Sequence, residues 1–169
     1  KRTAIQLAAV VQETARLVKV TLPPSVGLRV VVPKETEPVM ADITQIEQAL
    51  LNLCTNAILA INTKRGSVTM ELAATDLAQA ESSRLGLPPG RYVTITVRDT
   101  GNGMSPETLE RIFEPFFTTR QVGQGTGLGL SVVHGIMQTH QGGIDVSSTL
   151  DKGSVFTLYF PSTAEKVLA

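Results

Sequence analysis

Neither sign of charge is in excess in this chain: Lys plus Arg and Asp plus Glu stand at 15 each, so the formal net charge is zero. A nucleic-acid partner would call for a basic excess, and none is expected here. Cysteine is nearly absent. Cys54 alone cannot build an internal disulfide framework and fits a reducing compartment. It and the two histidines lack the spacing of a zinc site. No apolar run approaches the roughly 18–20 residues of a membrane span, and no signal-peptide pattern opens the chain. No Gly-Lys pair occurs, which excludes a P-loop. The chain opens on Lys1 rather than an initiator Met, so it reads as a fragment of a longer protein.

What is present describes one globular domain over residues 1–169, with 1–4 as a linker and 162–169 as a tail. With 42% hydrophobic and 18% charged residues, it can bury a full core. Glycine is concentrated: six of the 14 fall between Asp99 and Leu130. Gly123, Gly125, Gly127 and Gly129 occupy every second position and lead into a helix start. Unencumbered N–H donors at the positive end of a helix dipole form an anion site. The Rossmann pattern fails, because Leu128 and Leu130 stand where its third glycine would be. A phosphate loop of another kind is therefore expected.

Periodicity supplies the frame. Helices are expected over residues 5–19, 43–61, 106 to about 112 and 128 to about 140. Strands are expected at 27–32, 39–41, 67–73, 92–99, 144–149 and 154–160, with a polar excursion over 75–90. This order departs from strict βαβα alternation and predicts an α+β fold, a two-layer sandwich with helices on one face of a mixed sheet. In helix 43–61, Ile43, Ile46, Leu50, Leu53, Cys54, Ala57 and Ile61 share one stripe. Asn52 and Asn56 lie opposite, with Gln45 and Gln48 near them. The glutamines read as a solvated face. For the asparagines, spacing alone leaves two readings open, a solvated face or a pair of hard-cation ligands. Asp99 closes a strand, where α/β folds place ligand-binding groups.

Four blocks in order resemble the catalytic, ATP-binding domain of sensor histidine kinases, within the GHKL or Bergerat-fold superfamily. They run Asn52 to Ala57, Asp99 to Met104, Phe113 to Phe117 and Gly125 to Ser131, and Gly153 to Pro161 resembles the family's closing hairpin. The resemblance implies a Bergerat fold and ATP with Mg²⁺ as ligands. Asp99 would read adenine, and Gly101, Gly103 and Met104 would lie under the base. Asn56 and Asn52 would hold Mg²⁺. Gly125, Thr126, Gly127, Leu128, Gly129 and Leu130 would cradle the phosphates. A lid over about residues 104–126 would include Phe113 and Phe116 as anchors together with Thr119. Arg120 would either contact the terminal phosphate or remain a surface arginine.

Two departures refine this expectation. The hydrolytic relatives and the serine kinases carry a glutamate general base where this chain has Asn52, which cannot take a proton. The basic residue that many histidine kinases place three positions after Asn56 is here Leu59, leaving Arg120, Lys64 and Arg65 as candidate phosphate contacts. His134 and His140 lack the following acidic residue of a phosphoacceptor and read as structural or surface histidines. The resemblance thus implies γ-phosphoryl transfer to a histidine on a separate dimerisation domain, followed by a response-regulator receiver domain. It places the fragment in the cytoplasm, with no direct membrane contact, even where the full protein is membrane-bound. The rival readings are a GHKL-type ATPase or serine kinase, and a pseudokinase module that only senses nucleotide.

Overall fold

Alternation along the central strands gathers their apolar residues on one side, and the helices settle there. The structure is a computed structural model describing residues 1–62, 65–117, 129–164 and 167. In chain order the first elements are β1 (Thr3–Ile5), α1 (Leu7–Thr21), β2 (Val26–Val31), β3 (Val39–Ala41), α2 (Ile43–Ile61) and β4 (Gly66–Leu77). There follow α3 (Gln79–Leu85), β5 (Gly90–Asp99), α4 (Pro106–Leu109), α5 (Gly129–Thr139), β6 (Gly143–Thr149) and β7 (Gly153–Pro161). Five strands form one sheet in the order β2-β4-β5-β7-β6. β2 runs parallel to β4, and the remaining pairs are antiparallel, so the sheet is mixed as expected.

Register shows how the core arises. Met70 faces Val97, Leu72 faces Ile95, and Ile95 in turn faces Leu158. These side chains are all buried, whereas the alternate residues Glu71, Thr96 and Thr157 are only partly covered. Leu7, Val11, Val18, Ile46, Leu50, Leu53, Val133 and Met137 of α1, α2 and α5 complete the same core from above. α2 matches its expected span, because one apolar stripe and an N-cap coincide: Asp42 accepts from the Gln45 amide at 3.2 Å. α5 runs antiparallel beside it. At one end the Asp42 amide donates to His140 Nε2 at 3.0 Å, while His140 Nδ1 lies 2.8 Å from the Ile136 carbonyl oxygen. Both ring nitrogens of this buried histidine are engaged, as a structural role requires.

Several expected boundaries differ by a residue or two, and four departures are larger. Residues 3–5 form β1, paired antiparallel with β3, so the first helix starts at Leu7 and Ile5 lies in a strand. β4 continues through Leu77 because its pairing with β5 extends to Gly90. The rest of the polar excursion contains α3, whose Arg84 reaches Asp145 on β6 at 3.1 Å. α4 stops at Leu109, and the segment beyond it proceeds in turns.

Cys54 is 1% exposed, and its Sγ lies 3.8 Å from Met70 Sδ. Burial pushes the thiol up to about 12, so the neutral form persists far above neutrality. The folded chain should therefore resist iodoacetamide equally between about pH 7 and pH 9, while the urea-unfolded chain labels faster as pH approaches about 8.5. Mass-spectrometric labelling rates check this; a native rate that climbs with pH would show an accessible thiol.

Candidate functional site

Asp99 continues the inward row of Val93, Ile95 and Val97, so the helix-facing side of β5 ends on a carboxyl group. Its residue is 5% exposed. The Gly101 amide donates to Asp99 Oδ1 at 2.8 Å, and the Ser154 amide also favours the charged form of the carboxyl group. Burial nevertheless dominates and raises the carboxyl above the usual carboxylate range, against the pull of those two amides. A carboxyl group raised by folding binds its proton more tightly in the native chain. Its contribution to stability is thus lost as pH climbs from the ordinary carboxylate value through the raised one. No cationic side chain pairs with this carboxyl group among the described residues. Such a group suits a ligand that brings a hydrogen-bond donor.

The loop after Asp99 is pressed between two neighbours. A Cβ on Gly101 would stand 2.6 Å from the carbonyl carbon of Ala60 in the last turn of α2. The Asn102 amide donates to the Ala60 carbonyl at 2.9 Å. On the other side the Asp151 amide donates to the Asn102 carbonyl at 2.7 Å, and the Met104 amide donates to Ser148 Oγ at 2.7 Å. Gly103 has φ +68° and would bring a Cβ within 2.0 Å of the Thr149 oxygen. Met104 packs half-buried against the core.

α2 joins this loop to the start of α5. Asn52 Nδ2 donates to the Gly129 carbonyl at 3.3 Å, and Asn56 Nδ2 lies 3.8 Å from where a Gly129 Cβ would stand. Both asparagines are half-buried, so the back face of α2 is not simply solvated at these positions. Asn52, Asn56 and Ala60 are four residues apart and follow one side of the helix. That side meets both glycine-bearing segments. Leu130 follows Gly129 and packs against the core.

The aromatic segment sets its phenylalanines in unequal surroundings. Phe113 is half-buried and lies 5.3 Å from the His134 ring, while Phe117 packs against the core beneath the Arg111 guanidinium, 4.5 Å from its ring centroid. Phe116 is 73% exposed at φ +68°. Apolar type alone did not reveal which phenylalanine would turn outward. Thr119, Arg120, Gly125, Thr126, Gly127 and Leu128 lie outside the described residues, as does Lys64. Ser148 and the Ser154 amide were not anticipated; Ser154 lies in the closing hairpin, but nothing in the local pattern singles out Ser148.

Residues 41–164 match the family described as Histidine kinase-, DNA gyrase B-, and HSP90-like ATPase. The sensor kinase CckA of Brucella abortus is 42% identical over 132 residues, which make up 76% of this chain and 14% of that protein. The sensor histidine kinase ZraS of Salmonella typhi is 38% identical over 141 residues, 83% of this chain and 27% of that protein. This chain therefore spans under a third of either relative. Among solved structures, the catalytic domain of histidine kinase ThkA has a TM-score of 0.75 at 29% identity, covering 96% of each chain. Full-length ShkA in complex with AMPPNP has a TM-score of 0.77 at 26% identity, covering 98% of this chain and 32% of that one.

Gly103→Ala should lower unfolding stability by about 2 kcal/mol or more, because a left-handed backbone and a fixed carbonyl oxygen leave the added methyl no space. Urea unfolding checks it. A change within about 0.5 kcal/mol would mean that the loop does not rest on the hairpin as described.

Proposed function

The chain belongs to the family of histidine kinase-, DNA gyrase B- and HSP90-like ATPases, and on that premise we propose that it binds Mg-ATP for a two-component sensor histidine kinase. In the whole protein the γ-phosphoryl group would pass to a histidine on a separate dimerisation domain, with a response-regulator receiver domain downstream. The observation that carries this reading is a buried Asp99, with no cationic partner among the described residues, one loop away from two asparagines gathered at the start of α5. The AMPPNP bound to the related ShkA adds support for an adenine nucleotide.

In this reading the Asp99 carboxylate accepts from the exocyclic amine of adenine, a donor that a 6-oxo purine lacks. Gly101 and Gly103 bring the backbone close beneath the base, with Met104 beside it. Gly129, preceded by Gly125, Thr126, Gly127 and Leu128, presents amides and a helix dipole to the phosphates, and Leu130 anchors that helix start. Phe113, Phe116 and Thr119 belong to a lid over the nucleotide, with Arg120 as its cationic contact.

Asn52 and Asn56 suit Mg²⁺ by the chemistry of their donors: amide oxygens are hard ligands, and Mg²⁺ keeps waters and phosphates in its remaining positions. Among the described residues no group of three or more His, Cys, Asp or Glu gathers to hold a metal, so the triphosphate would supply most of the negative charge. The ion, when bound, would neutralise charge on the phosphates. Asn52 commits its Nδ2 to the Gly129 carbonyl and holds the helix start in place. It offers no base for activating water, which disfavours the hydrolytic reading. The domain's own contribution is positioning and charge neutralisation.

Mixing the chain with Mg-ATP and a cognate acceptor domain should yield acid-labile phosphohistidine on the acceptor. Steady phosphate release without acceptor would favour an ATPase, and nucleotide binding with neither outcome would favour a sensor module. Asn56→Ala should weaken Mg-ATP binding about tenfold or more and remove most of its Mg²⁺ dependence. Titration calorimetry with and without EDTA checks this, and a retained dependence would move the metal elsewhere.

A further inference from the structure

Three of the polar contacts that hold the loop over residues 101–104 to its neighbours are unequal in kind. Asn102 N–H to the Ala60 carbonyl and Asp151 N–H to the Asn102 carbonyl join backbone to backbone, so they do not depend on side-chain identity. The third, from the Met104 amide, ends on the hydroxyl of Ser148 at 2.7 Å. That hydroxyl lies 2.8 Å from Ser154 Oγ and 3.2 Å from the Gly153 carbonyl oxygen. The Ser154 amide favours the charged form of the Asp99 carboxyl group, and Asp99 accepts from Gly101 in the same loop. Asp99, the 101–104 loop, Ser148 and Ser154 are thus joined through neighbouring polar contacts along the loop and the hairpin.

We propose that Ser148 is a positioning residue that sets the height of the 101–104 loop relative to Asp99, and thereby the discrimination between 6-amino and 6-oxo purine nucleotides. This rests on the reading that Asp99 receives the base. A hydroxyl has one proton and two lone pairs. Ser148 spends one lone pair on the Met104 amide and directs its proton to Gly153 or Ser154, so one side chain fastens the loop and the hairpin together. Removing it leaves the Met104 amide without its acceptor and breaks the side-chain link between the loop and the hairpin. The carboxylate remains, but the loop beneath the base can shift. A purine held loosely is a purine read less sharply, because selectivity requires donor and acceptor to meet at a fixed distance.

The test measures ATP and ITP affinities of the 169-residue chain by calorimetry, in wild type, Ser148→Ala and Ser148→Thr. Ser148→Ala should weaken ATP about tenfold and ITP by less than about threefold, narrowing the ratio between them, and Ser148→Thr should restore it. A merely structural hydroxyl would lower both affinities together and leave the ratio unchanged, which would overturn the proposal. If Ser148→Ala loses its cooperative thermal transition, Ser148→Cys takes its place, since a thiol is a weaker acceptor of similar size; a wild-type ratio in that variant also overturns the proposal. Asp99→Asn is the control. Unchanged ATP affinity there removes the base-reading assignment and this inference with it. Weakened ATP binding there, together with a wild-type ratio in Ser148→Ala or in the Ser148→Cys that replaces it, removes this inference alone.

Discussion

A carboxyl group on the helix-facing side of a sheet is the constraint to which the surrounding residues answer. Asp99 occupies a position that alternation would give to a valine or isoleucine, and burial opposes its charge. Two backbone amides compensate in part, one from Gly101 and one from Ser154. Holding them in place restricts the neighbours. A Cβ on Gly153 would stand 2.0 Å from the Asp99 carbonyl oxygen, so β7 can begin this close to β5 only on glycine. Gly101 is pressed in the same way onto Ala60. The glycines here serve close approach as much as flexibility.

α2 connects that carboxylate to the rest of the site. One side of the helix belongs to the core through Ile46, Leu50, Leu53, Ala57 and Ile61. Another carries Asn52, Asn56 and Ala60, which meet the start of α5 and the loop after β5. A single rigid element therefore spaces the proposed base reader from the proposed phosphate cradle. Its partner α5 is tied at both ends, by Asn52 near Gly129 and by His140 at the Asp42 cap. A relative sliding of the two helices would strain both contacts.

Long periodic segments were legible in the sequence, and contacts between distant segments were not. α2 was readable to the residue because apolar period, N-cap and length agree. β1 was not: three residues carry no usable period, and only pairing with β3 makes Thr3–Ile5 a strand. The extension of β4 through Leu77 was hidden by polar composition and decided by pairing with β5, while the small α3 is held by Arg84 against Asp145 on β6. Within the site, Asp99, Asn52 and Asn56 stood out through spacing and resemblance. Ser148 did not, because a serine in a strand acquires meaning only when Met104, 44 residues away in sequence, is placed against it. Phe116 and Phe117 are alike by type, and only the turn geometry sends one outward.

The inward row of β5 also makes the site sensitive to counting. Val93, Ile95, Val97 and Asp99 share a face because they have the same parity, and a strand has no other way to choose its faces. Inserting or deleting one residue between Val97 and Asp99 would send the carboxylate to the face of Thr96 and Arg98, with every hydrophobic contact behind it intact. The chain would still have its core and its helices, but the acid would point at water. Length changes between α3 and β5 carry no such penalty, since the register restarts at Gly90. The tolerance of this domain to insertions is therefore written in odd and even numbers along one strand.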